Sequence, residues 1–582
     1  MTDKYRWNLE AMYPDMEEIN RDIEILENNL EEFKKLKENS KGNIKKLLLK
    51  QEEINKRLEK VWVYAHMKKD ENSTVVESQK LDMQIQALGS KIFAESSVIE
   101  PLLLSLNEEE SKDLLNDEEL KDYKITLERI FRNRPHTLSE KEEFIVSSFS
   151  PTVKSASEIY YYLTNADMKF PKLESTDKEL KNTTFVELQT NEDVAVRKEA
   201  FEKLYETYSS FGNTIATTYY SNIKAKSTIA KLKNFDSVRQ MSLFEDDVDE
   251  KVYDALIESI HQNLKYLHRY YAIKKRALKL DEQHMYDVYM PITGVFDKKY
   301  TFEEARDLVI ESVKPLGEEY IGIYKTAFED RWIDVEPRDG KRGGAYSSGS
   351  YDSYPYILLN FNGTLESVFT LAHELGHSLH SYYSRKHNNY LDHGYTIFVA
   401  EVASTFNEAL LLDMLMKRAD SIEEKLYLVD FYLNSYKSTV FRQTMFAEFE
   451  RDVHSLVESG EGLTSSDMSE MYLELNKKYF GDSMISDSQI AYEWMRIPHF
   501  YSNFYVYKYA TGFCASSILA QKVLNAEENA VENYLNFLKD GSKHFPIEQL
   551  KMAGVDMSKP ETVNKALEVF AKLVDELDNM ID

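Results

Sequence analysis

Two histidines and a glutamate in the sequence HELGH have the types and spacing of a metal-dependent hydrolytic site. His373 and His377 are four residues apart, and Glu374 lies between them. On an α-helix, residues at i and i+4 share a face, so both imidazoles can bind one zinc ion at about 2.0–2.1 Å. Glu374 lies about 100° around the helix, where its carboxylate can accept a proton from water on the metal. The spacing therefore predicts a zinc site with Glu374 as the general base.

The third zinc ligand is predicted to be Glu401. The pattern HExxHxxGxxH, which would supply a third histidine, is excluded because the chain has His380 and Tyr383 at the positions it requires. Glu401 follows in the apolar helical sequence TIFVAEVASTFNE. An ionised carboxylate in such a setting is costly unless a cation compensates it, which favours a role as a metal ligand.

Three other residues near the motif have alternative interpretations. His393 lies in the loop LDHGY and is explained by a surface position. His380 shares the face of the two predicted ligands, and either a hydrogen bond to the site or packing in the core explains it better than metal binding. Glu408 lies seven residues after Glu401 on the same helix face. It either accepts the second ring N–H of a ligating histidine or is a buried acid paired elsewhere.

The elements that must position these residues are a capped helix and a preceding strand. Thr364 can cap a helix whose apolar stripe includes Val368, Leu371 and Leu375. Residues 356–361, YILLNF, have the length and composition of a buried strand. The edge of this strand is predicted to bind an extended peptide, and a structural hairpin without a substrate role is the alternative.

The rest of the chain is predicted to be helical, because glycine is scarce outside the approach to the motif. Only Gly42 and Gly89 precede Gly212. A rise in polarity near residue 190 places the boundary between an N-terminal helical domain, 1–190, and a catalytic domain, 191–582. Apolar spacing predicts helices over roughly 16–37, 44–69, 75–99, 212–232, 248–278 and 301–328, the last broken near Pro315.

Composition limits the classes of partner. The chain has 582 residues and a net charge of −28, which argues against binding to nucleic acid. Cys514 is the only cysteine, so an internal disulfide is excluded and a small buried side chain is expected. No apolar run of about 18 residues and no apolar N-terminal segment occur. A soluble, cytoplasmic protein without a membrane partner is expected, and its oligomeric state is left open.

Together these motifs resemble the oligoendopeptidase F branch of the thimet-oligopeptidase-like zinc metallopeptidases, which are gluzincins. The resemblance covers roughly residues 186–545 and rests on HELGHSLH, FVAEVASTFNE, KRGGAY, PYILLNFNG, YDVYMP and IPHFYSNFYVYKYATG. It implies a mainly α, elongated helical zincin with a small β-sheet beside the zinc helix and a deep substrate channel. By this resemblance His373, His377 and Glu401 match the zinc ligands and Glu374 matches the catalytic base.

The resemblance also implies that His499 stabilises the transition state. An imidazole or a tyrosine hydroxyl near the metal can donate a hydrogen bond to the oxyanion that forms on a peptide carbonyl. The tyrosines after His499 are spaced differently from those of the mammalian branch, so Tyr505 and Tyr509 are both candidate donors. They share a face if the segment is helical, with Tyr507 opposite, and aromatic packing is the alternative for each.

The predicted activity is zinc-dependent hydrolysis of internal bonds in short, unstructured peptides. An exopeptidase on the same site would need a pocket for a free terminus, and the sequence contains no determinant of one. A helical peptide-binding scaffold without catalysis would be expected to lack part of the set His373, Glu374, His377 and Glu401, and all four are present.

Overall fold

The computed structural model describes residues 3–293 and 298–581, which are mainly helical. Short 3₁₀ and π turns and one small sheet connect the α-helices. The helices of the described residues are α1 (Met16–Lys37), α2 (Ile44–Glu71), α3 (Val76–Ser96), α4 (Ile99–Leu104), α5 (Glu108–Leu115), α6 (Lys124–Arg132), α7 (Glu140–Ser148), α8 (Ser150–Tyr162), α9 (Phe185–Gln189), α10 (Val194–Ser210), α11 (Gly212–Leu232), α12 (Val238–Phe244), α13 (Glu250–Ala277), α14 (Phe302–Ser312), α15 (Glu318–Glu329), α16 (Leu365–His387), α17 (Ile397–Arg418), α18 (Ile422–Tyr436), α19 (Arg442–Ser459), α20 (Ser465–Phe480), α21 (Tyr507–Leu524), α22 (Ala530–Lys539), α23 (Pro546–Met552) and α24 (Pro560–Ile581).

A three-stranded sheet immediately precedes α16. Its strands are β1 (Ile333–Asp334), β2 (Tyr346–Ser348) and β3 (Tyr356–Leu358). Strand β3 is central, parallel to β1 and antiparallel to β2. All three of its residues are buried, as the apolar composition of this segment predicted. The predicted mainly α fold with a small β-sheet is confirmed.

The chain forms two compact units, each assembled from three stretches. The first contains residues 1–137, 297–414 and 519–554, and the second contains 138–296, 415–518 and 555–582. Neither unit begins at residue 191, so the predicted division into 1–190 and 191–582 does not coincide with them and stays a prediction. The deep channel expected from the resemblance also stays a prediction.

In the first unit, the N-terminal helices support the sheet. Asp15 caps α1 by accepting hydrogen bonds from the backbone N–H groups of Glu17 and Glu18. The apolar face of α1 is buried, and it shares one hydrophobic cluster with Tyr356 and Leu358 of β3. The indole N–H of Trp7 also donates to the carbonyl of Ile357 at 2.7 Å. These contacts hold in place the strand that leads into α16.

In the second unit, long amphipathic helices surround a core rich in aromatic residues. Asp249 caps α13 by accepting the backbone N–H of Lys251. The hydroxyl of Tyr253 on α13 donates to the carbonyl of Ala447 on α19 at 2.7 Å. Among the residues that the structure describes, no helix has both the length and the hydropathy needed to span a membrane.

Candidate active site

Helix α16 carries the HELGH motif, and its start is set by Thr364. The side chain of Thr364 accepts a hydrogen bond from the backbone N–H of Ser367 at 3.2 Å, which confirms the predicted cap. The predicted apolar stripe is buried, including Val368, Leu371 and Leu375. Burial of this stripe fixes the rotation of the helix, and so it fixes the direction in which the face with His373 and His377 points.

Gly376 allows α17 to pass very close to the motif. A Cβ at this position would lie 2.6 Å from the carbonyl oxygen of Ala403 and 2.6 Å from the Cα of Ser404. Close packing of the two helices, and not an unusual backbone conformation, therefore requires glycine here. Glu401 lies on the same stretch of α17, and the hydroxyl of Ser404 donates to its Oε2 at 2.9 Å. Because α17 packs so closely on α16, Glu401, the predicted third ligand, lies next to the two histidines.

The structure brings His373, His377 and Glu401 into one candidate metal site. The Nε2 atoms of His373 and His377 are 3.2 Å apart. The Oε2 atom of Glu401 is 3.4 Å from Nε2 of His373 and 3.6 Å from Nε2 of His377. Among the described residues, these three form the group of His, Cys, Asp or Glu side chains that could share an ion.

The spacing of these atoms fits a small tetrahedral ion. Ligand atoms about 2.0–2.1 Å from a tetrahedral zinc ion lie about 3.3–3.4 Å from one another. The observed separations of 3.2, 3.4 and 3.6 Å bracket that value. Two imidazoles and one carboxylate are also the donor set of a catalytic site, in which the fourth position is left for water or substrate.

Glu408 orients His373. Its Oε1 accepts a hydrogen bond from Nδ1 of His373 at 2.5 Å, which leaves Nε2 facing His377 and Glu401. Of the two interpretations of Glu408 from the sequence, the structure therefore supports contact with a metal-site histidine. Burial alone would lower the pKa of His373, but Glu408 and the neighbouring carboxylates outweigh burial and raise it to about 9. The same carboxylates favour a cation at this place.

Glu374 lies beside the metal cluster and is 6% exposed. Its Oε2 atom has no hydrogen-bond partner among the described residues. Burial raises the pKa of this carboxyl to about 7. A buried carboxylate with a free oxygen and a pKa near neutrality has the properties of a general base.

His380 and His393, the other two histidines near the motif, make contacts outside the candidate metal site. His380 is buried, and its ring stacks on Tyr395 with centroids 3.8 Å apart. Burial lowers its pKa to about 3, so the ring is a neutral core residue. The Nδ1–H group of His393 donates to the carbonyl of Tyr390 at 2.5 Å in the loop between α16 and α17. Neither histidine joins the cluster of His373, His377 and Glu401.

The expectation that residues 356–361 offer a strand edge to a peptide is wrong. Strand β3 has neighbours on both sides, and the backbone N–H of Phe361 still donates to Val335 at 2.9 Å beyond its end. The outer strand on the other side of β3 is β2. It lies against α16, since the hydroxyl oxygens of Ser347 and Ser378 are 2.8 Å apart. The edge beside the motif helix therefore belongs to β2.

His499, Tyr505 and Tyr509 form a cluster in the second unit. His499 lies in a 3₁₀ turn, and its ring centroid is 6.4 Å from that of Tyr505 and 6.2 Å from that of Tyr509. The two tyrosine rings are 5.4 Å apart, whereas Tyr507 is buried. Partial burial and the charge of Arg442 hold the pKa of His499 below its usual value. The imidazole is therefore neutral at pH 7 and retains one N–H donor.

Glu450 shapes the turn before Tyr505, and nothing in the sequence pattern pointed to it. Its carboxylate Oε1 accepts the backbone N–H of Phe504 at 2.7 Å. Phe504 has a φ of 54°, in the left-handed region. Glu450 itself is fully buried on α19. The partner of this carboxylate is a backbone group 54 residues away, and such a contact has no signature in local sequence.

Comparisons with known proteins decide the family. The sequence model of peptidase family M3 matches residues 187–569, and the Oligopeptidase F model matches residues 103–170. The chain belongs to peptidase family M3. It is therefore a peptidase, a hydrolase of peptide bonds, from a family of metallopeptidases. The predicted resemblance to oligoendopeptidase F is confirmed.

Individual proteins also resemble the chain over nearly its whole length. Oligopeptidase PepF of Bacillus subtilis is 41% identical over 582 residues, which cover 99% of this chain and 87% of that protein. A crystal structure of a Chlamydophila abortus protein has 36% identity and a TM-score of 0.94, covering 100% of this chain and 99% of the other. Oligoendopeptidase-F of Enterococcus faecium has 34% identity and a TM-score of 0.75, covering 98% and 99%.

Proposed function

We propose that this M3 peptidase is a zinc-dependent endopeptidase that cleaves internal bonds of short, unstructured peptides. The observation that carries the proposal is the cluster of His373, His377 and Glu401, with the buried carboxylate of Glu374 beside it. The names of its relatives, oligopeptidase and oligoendopeptidase, support short peptides and internal bonds.

His373, His377 and Glu401 would hold the zinc ion. When bound, zinc polarises the scissile carbonyl and increases the acidity of a coordinated water molecule. Glu374 accepts the proton of the attacking water and transfers it to the leaving amine. Glu408 keeps the ring of His373 in the orientation and tautomer that ligation requires. His499, together with Tyr505 or Tyr509, donates hydrogen bonds to the oxyanion.

Strand β2 is the element that would align the substrate. Its residues pair with β3 on one side, and an extended peptide can add to the other side through backbone hydrogen bonds. Backbone pairing of this kind tolerates many side chains but requires an extended chain. It therefore favours short or unfolded peptides over segments of a folded protein.

Digestion of a mixed peptide library, followed by mass spectrometry, tests the proposal. We expect cleavage at internal positions, loss of cleavage with a zinc chelator, recovery after zinc is restored, and no cleavage of a stably folded control protein. Stepwise removal of terminal residues would instead indicate an exopeptidase. Products unchanged by the chelator would contradict the metal-dependent mechanism.

A further inference from the structure

Two buried lysines in the second unit share one backbone acceptor. The Nζ atom of Lys274 donates to the carbonyl of Val288 at 3.0 Å, and Nζ of Lys437 lies 3.5 Å from the same oxygen. Lys437 also donates to Oδ1 of Asn434 at 2.9 Å. The two lysine residues are 0% and 6% exposed. Within the described part of the chain, neither ammonium has a carboxylate oxygen within 4.0 Å.

The neighbouring carboxylates already accept hydrogen bonds from other donors. Both oxygens of Asp430, Glu493 and Asp287 accept hydrogen bonds from groups other than these lysines. The donors are Tyr270 and the Ile292 N–H for Asp430, Arg442 and Tyr472 for Glu493, and Arg197 and the His284 N–H for Asp287. The cations that interact with this group are Lys274, Lys437, Arg197, Arg442 and Arg496. If both lysines are protonated, these five cationic side chains against three carboxylates give an excess of two positive charges.

A small cavity adjoins two of these basic side chains, Lys437 and Arg442. It has a volume of about 30 Å³, and its wall includes Lys437, Arg442, Tyr271 and Glu493 among mainly aromatic and aliphatic side chains. The two carboxylate oxygens of Glu493 already accept hydrogen bonds from Arg442 and Tyr472. The hydroxyl of Tyr271 is buried and has no hydrogen-bond partner among the described residues. A buried hydroxyl is normally hydrogen-bonded, so this donor lacks an expected acceptor. Two basic side chains, a carboxylate whose oxygens are already hydrogen-bonded, and an O–H donor without an acceptor thus line the same cavity.

We propose that this cavity binds one small monovalent anion, of the size of a halide ion, through Lys437, Arg442 and Tyr271. The anion balances part of the buried positive charge and accepts the hydrogen bond of Tyr271. A volume of about 30 Å³ has room for one or two water-sized particles, and a halide ion is of that size. The proposal does not depend on the proposed peptidase chemistry, although the charge of Arg442 also acts on His499.

The competing explanation is that Lys437 is a neutral amine. Burial and the positive charge of Lys274 hold the pKa of Lys437 well below its usual range. A neutral amine would remove the need for an anion, whereas a halide beside Nζ would stabilise the ammonium form. The two explanations therefore differ in whether the folded protein takes up a halide.

Anomalous diffraction from crystals of the full-length protein soaked in bromide tests the site directly. The expected result is an anomalous peak in the cavity between Lys437 and Arg442. Absence of bromide there would overturn the proposal and leave Lys437 as a neutral amine. A peak that persists in crystals of Lys437→Met would also count against it, because binding would not depend on the lysine.

Thermal unfolding in solution provides the second test. Sodium gluconate is replaced by sodium chloride at constant ionic strength, so that only the anion changes. At chloride ten times above its Kd, the ratio of folded to unfolded protein should rise about elevenfold. Lys437→Met should abolish this increase, and its apolar side chain can occupy the same buried position.

Lys478→Met is the matched control, because Lys478 is 44% exposed and already pairs with Glu448 at 3.1 Å. It should keep the full response to chloride. Equal responses in wild type and Lys437→Met, or no response in wild type, would contradict the proposal. If Lys437→Met does not fold, bromide density in the wild-type crystal decides the question alone.

Discussion

Replacing Gly376 with alanine should weaken zinc binding without changing any ligand. The new Cβ would lie 2.6 Å from Ala403 O and from Ser404 Cα, whereas ordinary contacts begin at 3.4 Å, so α16 and α17 must separate by about 0.8 Å. The distances from Glu401 Oε2 to the two histidine nitrogens, 3.4 and 3.6 Å, would then exceed about 4 Å. Ligand atoms on one tetrahedral zinc ion cannot be that far apart.

We expect Gly376→Ala to bind zinc about 10–100-fold more weakly, as other changes that displace a metal ligand do. Overpacking should also destabilise the first unit by about 1–3 kcal/mol. Zinc affinity is measured by competition with a chromogenic chelator, and stability by thermal unfolding of the zinc-free protein. The matched control is Gly322→Ala, since Gly322 is also helical but its Cβ would meet nothing within 4 Å. Wild-type zinc affinity in Gly376→Ala would refute the reasoning.

Three further predictions concern single side chains. Glu408→Gln replaces the carboxylate bound to Nδ1 of His373 and should weaken zinc binding about 10–100-fold in the same chelator competition. His499→Ala should keep its zinc and its stability while steady-state kinetics show a loss of about 10²–10³ in kcat, with KM little changed. His454 is buried with a folded pKa of about 3, below its unfolded value of about 6.5. Stability should therefore fall as pH drops below about 6.5, by up to about 1.4 kcal/mol per pH unit, and thermal unfolding of His454→Phe across this range should lack that part of the loss.

Each of these predictions has a contradicting outcome. Unchanged zinc affinity in Glu408→Gln would mean that its contact with His373 does not support ligation. Loss of zinc or unfolding in His499→Ala would make that residue structural. Parallel stability curves for wild type and His454→Phe between pH 4 and pH 6 would show that this histidine does not contribute to acid sensitivity.

The local parts of the site could be predicted from the sequence because helix geometry determines them. The i, i+4 spacing of His373 and His377 and the cap at Thr364 depend only on neighbouring residues. Helix α1 occupies the predicted residues 16–37, and α11 the predicted 212–232. Glu401 could be inferred as well, because a carboxylate in so apolar a helix needs a compensating cation.

Other features depend on contacts between distant segments. The order of strands places β3 between β1 and β2, and nothing within residues 356–361 encodes its neighbours. The contact of Glu450 with Phe504 and the shared carbonyl of Lys274 and Lys437 likewise join separate helices and turns. Gly376 is a local signal of close helix packing, because glycine inside an apolar helix is otherwise unfavourable.

Turnover of a quenched fluorescent peptide by zinc-loaded Glu374→Gln protein is the most direct test of the central claim. The amide keeps the size of the side chain but cannot accept the proton of the attacking water. With one zinc bound per chain, as in wild type, kcat should fall about 10²–10⁴-fold. A rate equal to that of the wild type in this zinc-loaded variant would contradict the assignment of Glu374 as the general base.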